Sequence, residues 1–184
     1  MTKIVYNTAT TLNGFLADEQ NSLAWLFSVD NAGAPDMAAF MDGIGVFVEG
    51  STTYEWVLRE ENLLAQPEKW QQFYGNRPTF VFTSRTLAIP AGADVRLLRG
   101  SVADALAEIR AAAEELDIWV VGGGDLAGQF LDVGALDEIV VSVAPATLTA
   151  GAPLLPRNIG PKKLTLTDAQ KCGQFAQLRY TVTA

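Results

Sequence analysis

Histidine is absent from this 184-residue chain, and cysteine occurs once, at Cys172. Without histidine the sequence lacks the commonest metal ligand, the Ser-His-Asp and Cys-His catalytic arrangements, and the usual proton shuttle near neutral pH. A single cysteine excludes an intrachain disulfide and a cysteine-rich metal site. We therefore expect no metal centre, and a chemistry that relies on carboxylates, hydroxyls, water or a cofactor.

Positive charge is also scarce, with 13 Lys and Arg against 21 Asp and Glu and a formal net charge of −8. Nucleic acids and anionic membranes both need a basic surface, so neither is expected as a partner. No apolar run approaches the ~20 residues that span a bilayer, and the N-terminal stretch lacks the features of a signal peptide. We expect one cytoplasmic domain over residues 1–184 that binds a small molecule.

The order of short β-rich runs and helical patterns predicts the fold class. Strands are predicted at 3–9, 46–49, 79–83, 95–98, 118–121 and 138–143, and helices at 36–44, 51–65, 101–116 and 125–134. Alternating strands and helices indicate a mostly parallel central sheet flanked by helices. The segments 163–170 and 175–184, joined through 171–174, alternate with period two and predict a C-terminal antiparallel hairpin added to this α/β sheet.

Two strand–glycine–helix junctions are candidate anion sites. In "VFVEGSTTYEW" a strand ends at Gly50, and Ser51, Thr52 and Thr53 open a helix; in "WVVGGGDLAGQFL" the glycines Gly122, Gly123 and Gly124 precede Asp125 and Leu126. A helix N-terminus at the carboxyl end of a parallel strand attracts phosphate, and glycine lets the backbone contact the ligand. A single glycine, as at Gly50, is more often only a turn.

A third polar element follows the strand in "TFVFTSRTL", where Ser84 and Arg85 leave its carboxyl end. A hydroxyl beside a guanidinium suits a phosphate, although a solvated arginine in a polar loop is an equally good interpretation. "GGGDLA" also satisfies the G-x-G-x-x-A dinucleotide pattern, but it occurs late in the chain, and Asp137 and Glu138 precede their strand instead of ending it. This weakens a Rossmann interpretation.

Together these stretches resemble the dihydrofolate reductase-like superfamily. The nearest likeness is to stand-alone relatives of the reductase domain of the bifunctional riboflavin-biosynthesis deaminase-reductase. The resemblance is carried by "TATTLNGFLAD", "EGSTTYE", "FTSR", "VVGGGDLAGQFLDVGALDEIVVSVAP" and the terminal hairpin. It implies a homodimeric, NADPH-dependent reductase that transfers a hydride to a small pterin- or pyrimidine-like heterocycle.

The resemblance also implies site residues along the strand ends. Ala9 and Gly14 would lie on the nicotinamide side, Gly50 to Thr53 would meet the nucleotide phosphates, Ser84 and Arg85 the ribose 2′-phosphate, and Gly122 to Leu126 the pyrophosphate. Two departures stand out. Relatives usually have aspartate where this chain has Asn13, and arginine where it has Ser51, so one phosphate contact is missing.

The substrate side is less defined. Asp36 occupies roughly the place where folate reductases keep their pterin-binding acid and is a candidate catalytic residue, but an exposed carboxylate in a first helical turn is the plainer interpretation. Asn13, Trp25 (with Phe27) and Tyr54 (with Glu55) are candidates to border the substrate pocket, with packing as the alternative. No cluster of basic residues is assigned to a substrate phosphate. Two other functions remain open: a non-catalytic nucleotide-binding or oligomerising module, and a Rossmann-type NAD-dependent dehydrogenase.

Overall fold

The computed structural model describes residues 2–183. Ten strands and six helices are defined within that range: β1 Ile4–Thr11, β2 Phe15–Ala17, α1 Ala24–Phe27, α2 Met37–Asp42, β3 Ile44–Gly50, α3 Ser51–Glu60, α4 Glu68–Phe73, β4 Thr79–Phe82, β5 Val95–Leu98, α5 Val102–Ala113, β6 Asp117–Gly122, α6 Gly124–Asp132, β7 Glu138–Ala144, β8 Ala152–Pro153, β9 Leu164–Cys172 and β10 Phe175–Val182.

Eight of these strands form one sheet in the order β5-β4-β3-β6-β1-β7-β10-β9. The six strands from β5 to β7 are parallel to their neighbours, and β10 pairs antiparallel with both β7 and β9. The predicted mostly parallel sheet with a C-terminal hairpin is therefore confirmed. Its parallel strands bring six carboxyl ends to one edge.

The strand order does not match a Rossmann-type fold. A Rossmann sheet carries its glycine motif directly after its first strand, whereas here the three glycines lie at and after the end of β6, and β6 lies between β3 and β1. The Rossmann-type dehydrogenase is therefore set aside.

The two faces of the sheet are covered by different helices. Helix α5 buries Val102, Ala105, Ile109 and Ala113, a spacing of three to four residues that keeps one apolar stripe on the sheet. The Ser101 hydroxyl caps its start by accepting the Asp104 backbone N–H. Helix α6 packs on the same face. The opposite face carries α3 and α4, whose Leu58 and Trp70 are buried against the sheet.

Several short elements differ from the sequence prediction. The helix predicted over 51–65 ends at Glu60, because the chain turns through Asn62 at a positive φ of 52° and buries Leu63 completely. Helices α1 and α4 and the β2–β8 pair were not predicted. Within residues 2–183, no helix combines the length and apolarity needed to cross a bilayer.

Candidate functional site

A cavity of about 860 Å³ opens along the carboxyl ends of β3, β6, β1 and β7 and is covered by the segment that contains α1. Its volume lies within the range of ~300–1,000 Å³ that small-molecule sites occupy. Open parallel sheets bind their ligands at this edge. Most of the wall is apolar, so its few polar groups define what it can hold.

The first of these polar groups is the start of α3. Gly50 is the N-cap residue, and because glycine has no side chain, no capping hydrogen bond satisfies the first turn. The N-terminal N–H groups of an α-helix have no partner inside the helix. Here they belong to Ser51, Thr52 and Thr53, which line the cavity. The helix therefore presents unpaired donors and the positive end of its dipole to the cavity.

The start of α6 repeats this arrangement beside it. Gly123 is the N-cap residue, again without a side-chain cap, and Gly124, Asp125 and Leu126 line the cavity. A Cβ placed on Gly50 would lie 3.6 Å from both Gly122 O and Gly123 N, so the two junctions touch. Two helix N-termini thus meet at one point of the cavity, which we call the glycine end: residues 50–53 and 122–126.

The three consecutive glycines have separate explanations. A Cβ on Gly124 would lie 2.4 Å from the carbonyl oxygens of both Pro153 and Leu154, so this position is glycine because another segment packs against it. Gly122 has a φ of +157° and would bring a Cβ to 3.3 Å from the Thr53 hydroxyl oxygen; the peptide between Gly122 and Gly123 is cis. Only Gly123 faces open space. Of the three glycines, therefore, only Gly123 leaves room for a ligand by lacking a side chain.

The attraction for an anion at the glycine end comes from the backbone. Asp125 is the one charged residue among those lining the cavity in the described chain. Its carboxylate accepts hydrogen bonds from Gln129 Nε2 at 2.9 Å and Arg157 Nη1 at 3.0 Å. These two hydrogen bonds, with the larger effect from Gln129, hold the pKa of Asp125 below its usual value. Arg157 is thereby engaged outside the cavity, so the helix termini supply the positive potential.

A second cavity of about 340 Å³ adjoins the first at the ends of β4 and β5, sharing Phe82 and Gln129 with it. Ser84, for which the resemblance implies a phosphate contact, lines this smaller cavity, and so does Arg99. Arg85 does not line it. Its guanidinium donates to Glu55 Oε1 at 3.0 Å and Oε2 at 2.5 Å, a two-point ion pair on the surface.

The turn after β1 is held by other parts of the chain. Ala9 lines the large cavity. Gly14 adopts a φ of +85° in the turn and is not among the lining residues. Asn13 also lies outside the cavity: its Oδ1 accepts from Thr11 Oγ1 and Leu148 N, and its Nδ2 donates to Leu148 O at 2.6 Å. Asn13 therefore fastens this turn to a distant loop instead of bordering the pocket.

Three more candidates have structural roles. Asp36 is the N-cap residue of α2, where its Oδ1 accepts the N–H groups of Ala38 and Ala39. It is exposed and does not line the cavity, so we do not retain it as the catalytic acid. Tyr54 is fully buried in the α3 layer, with its hydroxyl donating to Ala88 O. Trp25 donates to Leu16 O and also lies outside the cavity wall.

A model of the RibD C-terminal domain matches residues 2–178, nearly the whole chain. The chain belongs to the RibD C-terminal domain family. The chain is 26% identical over 178 residues to the uncharacterised protein YwjB of Bacillus subtilis, covering 97% of both chains. It is also 22% identical over 156 residues to the uncharacterised protein YyaP of the same organism, covering 83% of this chain and 79% of the relative.

Solved structures agree with the RibD-type fold. A putative riboflavin biosynthesis protein from Shewanella sp. PV-4 superposes with a TM-score of 0.77 at 26% identity, with both chains covered completely. The Thermotoga maritima diaminohydroxyphosphoribosylaminopyrimidine deaminase/5-amino-6-(5-phosphoribosylamino)uracil reductase gives a TM-score of 0.68 at 16% identity, with 99% of this chain matching 57% of that one. A pyrimidine reductase-like protein from Corynebacterium diphtheriae gives 0.65 at 15% identity, covering 100% of this chain and 92% of that one.

Three residues that line the cavity of this RibD-type domain were not predicted from the sequence. Asn7 and Trp119 come from the sheet, and Trp56 from α3; with Phe27, these residues form what we call the aromatic end of the cavity. The rings of Phe27 and Trp56 stack with centroids 6.1 Å apart and planes within 10°. A signal for Asn7 was present, since an amide interrupts an otherwise apolar strand start, "IVYN".

Proposed function

We propose that this protein is an NADPH-dependent reductase that transfers a hydride to a small pterin- or pyrimidine-like heterocycle. The observation that carries the proposal is the meeting of two helix N-termini, both capped by glycine, in one cavity at the carboxyl edge of the sheet. Unpaired N–H groups in such a place favour a pyrophosphate. The wall beyond them is apolar and aromatic, which suits flat rings.

The residues present fit the cofactor at two points. The open space at Gly123 lets a pyrophosphate approach the backbone N–H groups of 124–126, while those of 51–53 face the same point from α3. Because Ser51 replaces an arginine, these contacts depend on the backbone and on hydroxyls. Ala9, with its small side chain at the end of β1, leaves room for the nicotinamide. NADPH, when bound, supplies a hydride to the substrate ring.

The ribose 2′-phosphate is assigned to the smaller cavity. Ser84 and Arg99 both line it, and Arg99 makes no ion pair with any residue in 2–183. Arg85, the residue singled out from the sequence, is held by Glu55 and would have to leave that carboxylate to reach a phosphate. We therefore assign the charged contact to Arg99.

The proton needed for reduction is assigned to water. Among the described residues, Asp125 is the one carboxylate of the cavity wall and lies at the glycine end, and Asp36 caps α2. What the chain contributes is orientation: apolar walls restrict the ring and backbone donors fix the cofactor, and such positioning is the main protein contribution to hydride transfer.

The proposed reaction class comes from the family and not from any single solved structure. The Thermotoga protein is a 5-amino-6-(5-phosphoribosylamino)uracil reductase, and the Corynebacterium protein is pyrimidine reductase-like. At 16% and 15% identity these two likenesses support the fold alone. Family membership and the chemistry of the cavity carry the proposal to this chain.

Fluorescence titration with NADPH and NADH tests the proposal, because Trp56 and Trp119 line the cavity and respond to a bound dinucleotide. We expect saturable quenching, with NADPH preferred. Arg99→Ala should weaken NADPH binding about tenfold through the loss of one charge-assisted contact, and should leave NADH binding unchanged. Arg85→Ala, and Arg110→Ala as a control far from the cavity, should have little effect on either affinity. Absence of binding by both nucleotides would overturn the cofactor assignment.

A further inference from the structure

The side-chain amide of Asn7 lies on the floor of the cavity without a partner. Asn7 is only 6% exposed, and its amide makes no hydrogen bond to any residue in the described part of the chain. Its backbone oxygen, by contrast, accepts the indole N–H of Trp119 at 2.9 Å. Buried amides in folded proteins nearly always have partners. The Asn7 amide atoms are not among the sealed, unpartnered polar atoms, so they open into the cavity. An amide that is buried as a residue and reaches only the cavity is placed to bind a ligand with matching polar atoms.

The sheet register shows what surrounds this amide. Residues of one strand alternate between the two faces, so Asn7 and Ala9 share a face, and Tyr6 lies in the core on the other face. Ala9 pairs with Ser142 on β7, and Val5 pairs with Trp119 on β6. The Ser142 hydroxyl is close to the Gln177 amide, which donates to it at 3.4 Å. The floor therefore offers uncharged hydrogen-bonding groups between apolar side chains.

Charge is missing from this part of the wall. No lysine or arginine occurs among the cavity residues described, and the one carboxylate, Asp125, belongs to the glycine end. Of the other three amides of the wall, Asn21 and Asn31 are exposed at its surface, and Gln129 donates to Asp125. A phosphate on the substrate would find no cation here, and the two helix N-termini are already assigned to the cofactor. The aromatic end is thus built for a neutral group.

Flat side chains complete the aromatic end. Phe27 and Trp56 present nearly parallel rings, and Trp119 is packed edge-on against Phe40, with centroids 5.2 Å apart, which fixes its orientation. Aromatic walls favour planar ligands. An asparagine amide supplies one donor and one acceptor side by side, which matches the N–H and C=O of a lactam or ring amide.

We infer that the aromatic end binds an uncharged planar heterocycle that carries no phosphate, and that the Asn7 amide recognises its lactam edge. This inference rests on the proposed reductase function, since it takes the glycine end to be filled by NADPH. This ligand differs from the phosphoribosylaminouracil for which the Thermotoga reductase is named. Asn7 is a specificity-determining residue in this assignment.

Binding of matched probes to the NADP⁺ complex tests the inference by calorimetry. The probes are 6-methylpterin and uridine, with uridine 5′-monophosphate as the phosphorylated counterpart. We expect at least one neutral ring to bind, and uridine to bind at least about tenfold tighter than its monophosphate, a difference of about 1.4 kcal/mol. Tighter binding of the monophosphate, or no binding by either neutral ring, would overturn the inference.

Asn7→Leu separates recognition from structure. Replacing an unpartnered buried amide with an apolar side chain of similar size should raise the melting temperature, while ring binding falls about tenfold and NADPH binding stays within about twofold. Asn76→Ala removes an exposed amide at the opposite end of the sheet, before β4, and should change neither. Unchanged ring binding in Asn7→Leu would mean that the amide only holds water. If the wild-type protein did not bind NADPH at all, the proposed function itself would be wrong.

Discussion

Gly123 and Gly124 are neighbours in sequence with opposite surroundings. Gly123 faces open space beside the cavity, whereas Gly124 is pressed by the carbonyl oxygens of Pro153 and Leu154. A sequence shows only that both are glycine. The structure divides them into a position that a ligand can approach and a position that the chain itself fills, and each leads to a different result on substitution.

Gly123→Ala should fold normally and weaken NADPH binding by about tenfold or more, because its methyl group would occupy the space through which a pyrophosphate reaches the helix N-terminus. Gly124→Ala should instead destabilise the protein by about 1–3 kcal/mol through overpacking. Urea denaturation and fluorescence titration of both variants measure the two effects.

The matched control for this pair is Gly160→Ala, since a Cβ there also meets nothing within 4 Å but lies outside the cavity wall. It should leave both stability and NADPH affinity near wild type. If Gly123→Ala bound NADPH as tightly as Gly160→Ala does, the glycine end would not be the pyrophosphate site.

Other residue roles could not be read from sequence because their partners lie far along the chain. Asn13 is bound to Leu148, and the hydroxyl of Tyr54 reaches Ala88 O. Arg85 pairs with Glu55 across 30 positions. In each case the residue type suggested a ligand contact, and a contact within the protein satisfied it. Asn7 shows the converse: it has no partner for its amide among the described residues, and its sequence signal was only an amide in an apolar strand.

The layer formed by α3 and α4 encloses a polar group on β3. Glu49 is fully buried, and burial raises the pKa of its carboxyl group to about 7, opposed only in part by the hydrogen bond that the Tyr74 hydroxyl donates at 2.9 Å. Its other oxygen, Oε2, has no partner among the described residues, like the nearby Trp70 Nε1. Trp70 stacks on Tyr74 with centroids 4.0 Å apart, which closes the layer over the carboxyl group.

This burial links the stability of the layer to pH. Between the ordinary pKa of 4.5 and about 7, the folded protein holds a proton on Glu49 that the unfolded chain has released, so the free energy of unfolding should fall as pH rises through this range and level off above it. In Glu49→Gln the side chain stays neutral, so this decline should disappear. Urea midpoints from about pH 5 to about pH 8 measure it.

Glu115→Gln, on an exposed site after α5, serves as the control and should keep the wild-type decline. Parallel pH profiles for the wild type and Glu49→Gln would contradict the assignment of the decline to Glu49.

Long periodic elements were predictable, whereas short ones were not. Helix α5 repeats its apolar residues over three turns and has a serine cap, so local sequence defines it. Helix α1 spans four residues and buries none of them, and β2 and β8 pair only through two positions. Elements of that size depend on tertiary contacts for their stability, because a short helix or two-stranded ribbon is marginal alone.

The proposed binding sites follow one another along the carboxyl edge of the sheet. From β5 to β7, its carboxyl edge carries in turn the smaller cavity with Ser84 and Arg99, the glycine end at β3 and β6, and Ala9 and Ser142 at β1 and β7. The sequence predicted Ser84, Ala9 and the glycine end as members of this edge, but not Arg99 or Ser142. It could not predict their order, because strands distant in the chain, such as β3 and β6, are neighbours in the sheet.

Titration with NADP⁺ followed by ¹⁵N–¹H NMR spectroscopy measures directly which backbone amides contact the dinucleotide. We expect the largest chemical shift changes at residues 51–53 and 123–126, with smaller changes at Ser84 and Arg99. Large changes confined to other residues, or none at saturating NADP⁺, would contradict the claim that the two glycine-capped helix N-termini bind the dinucleotide.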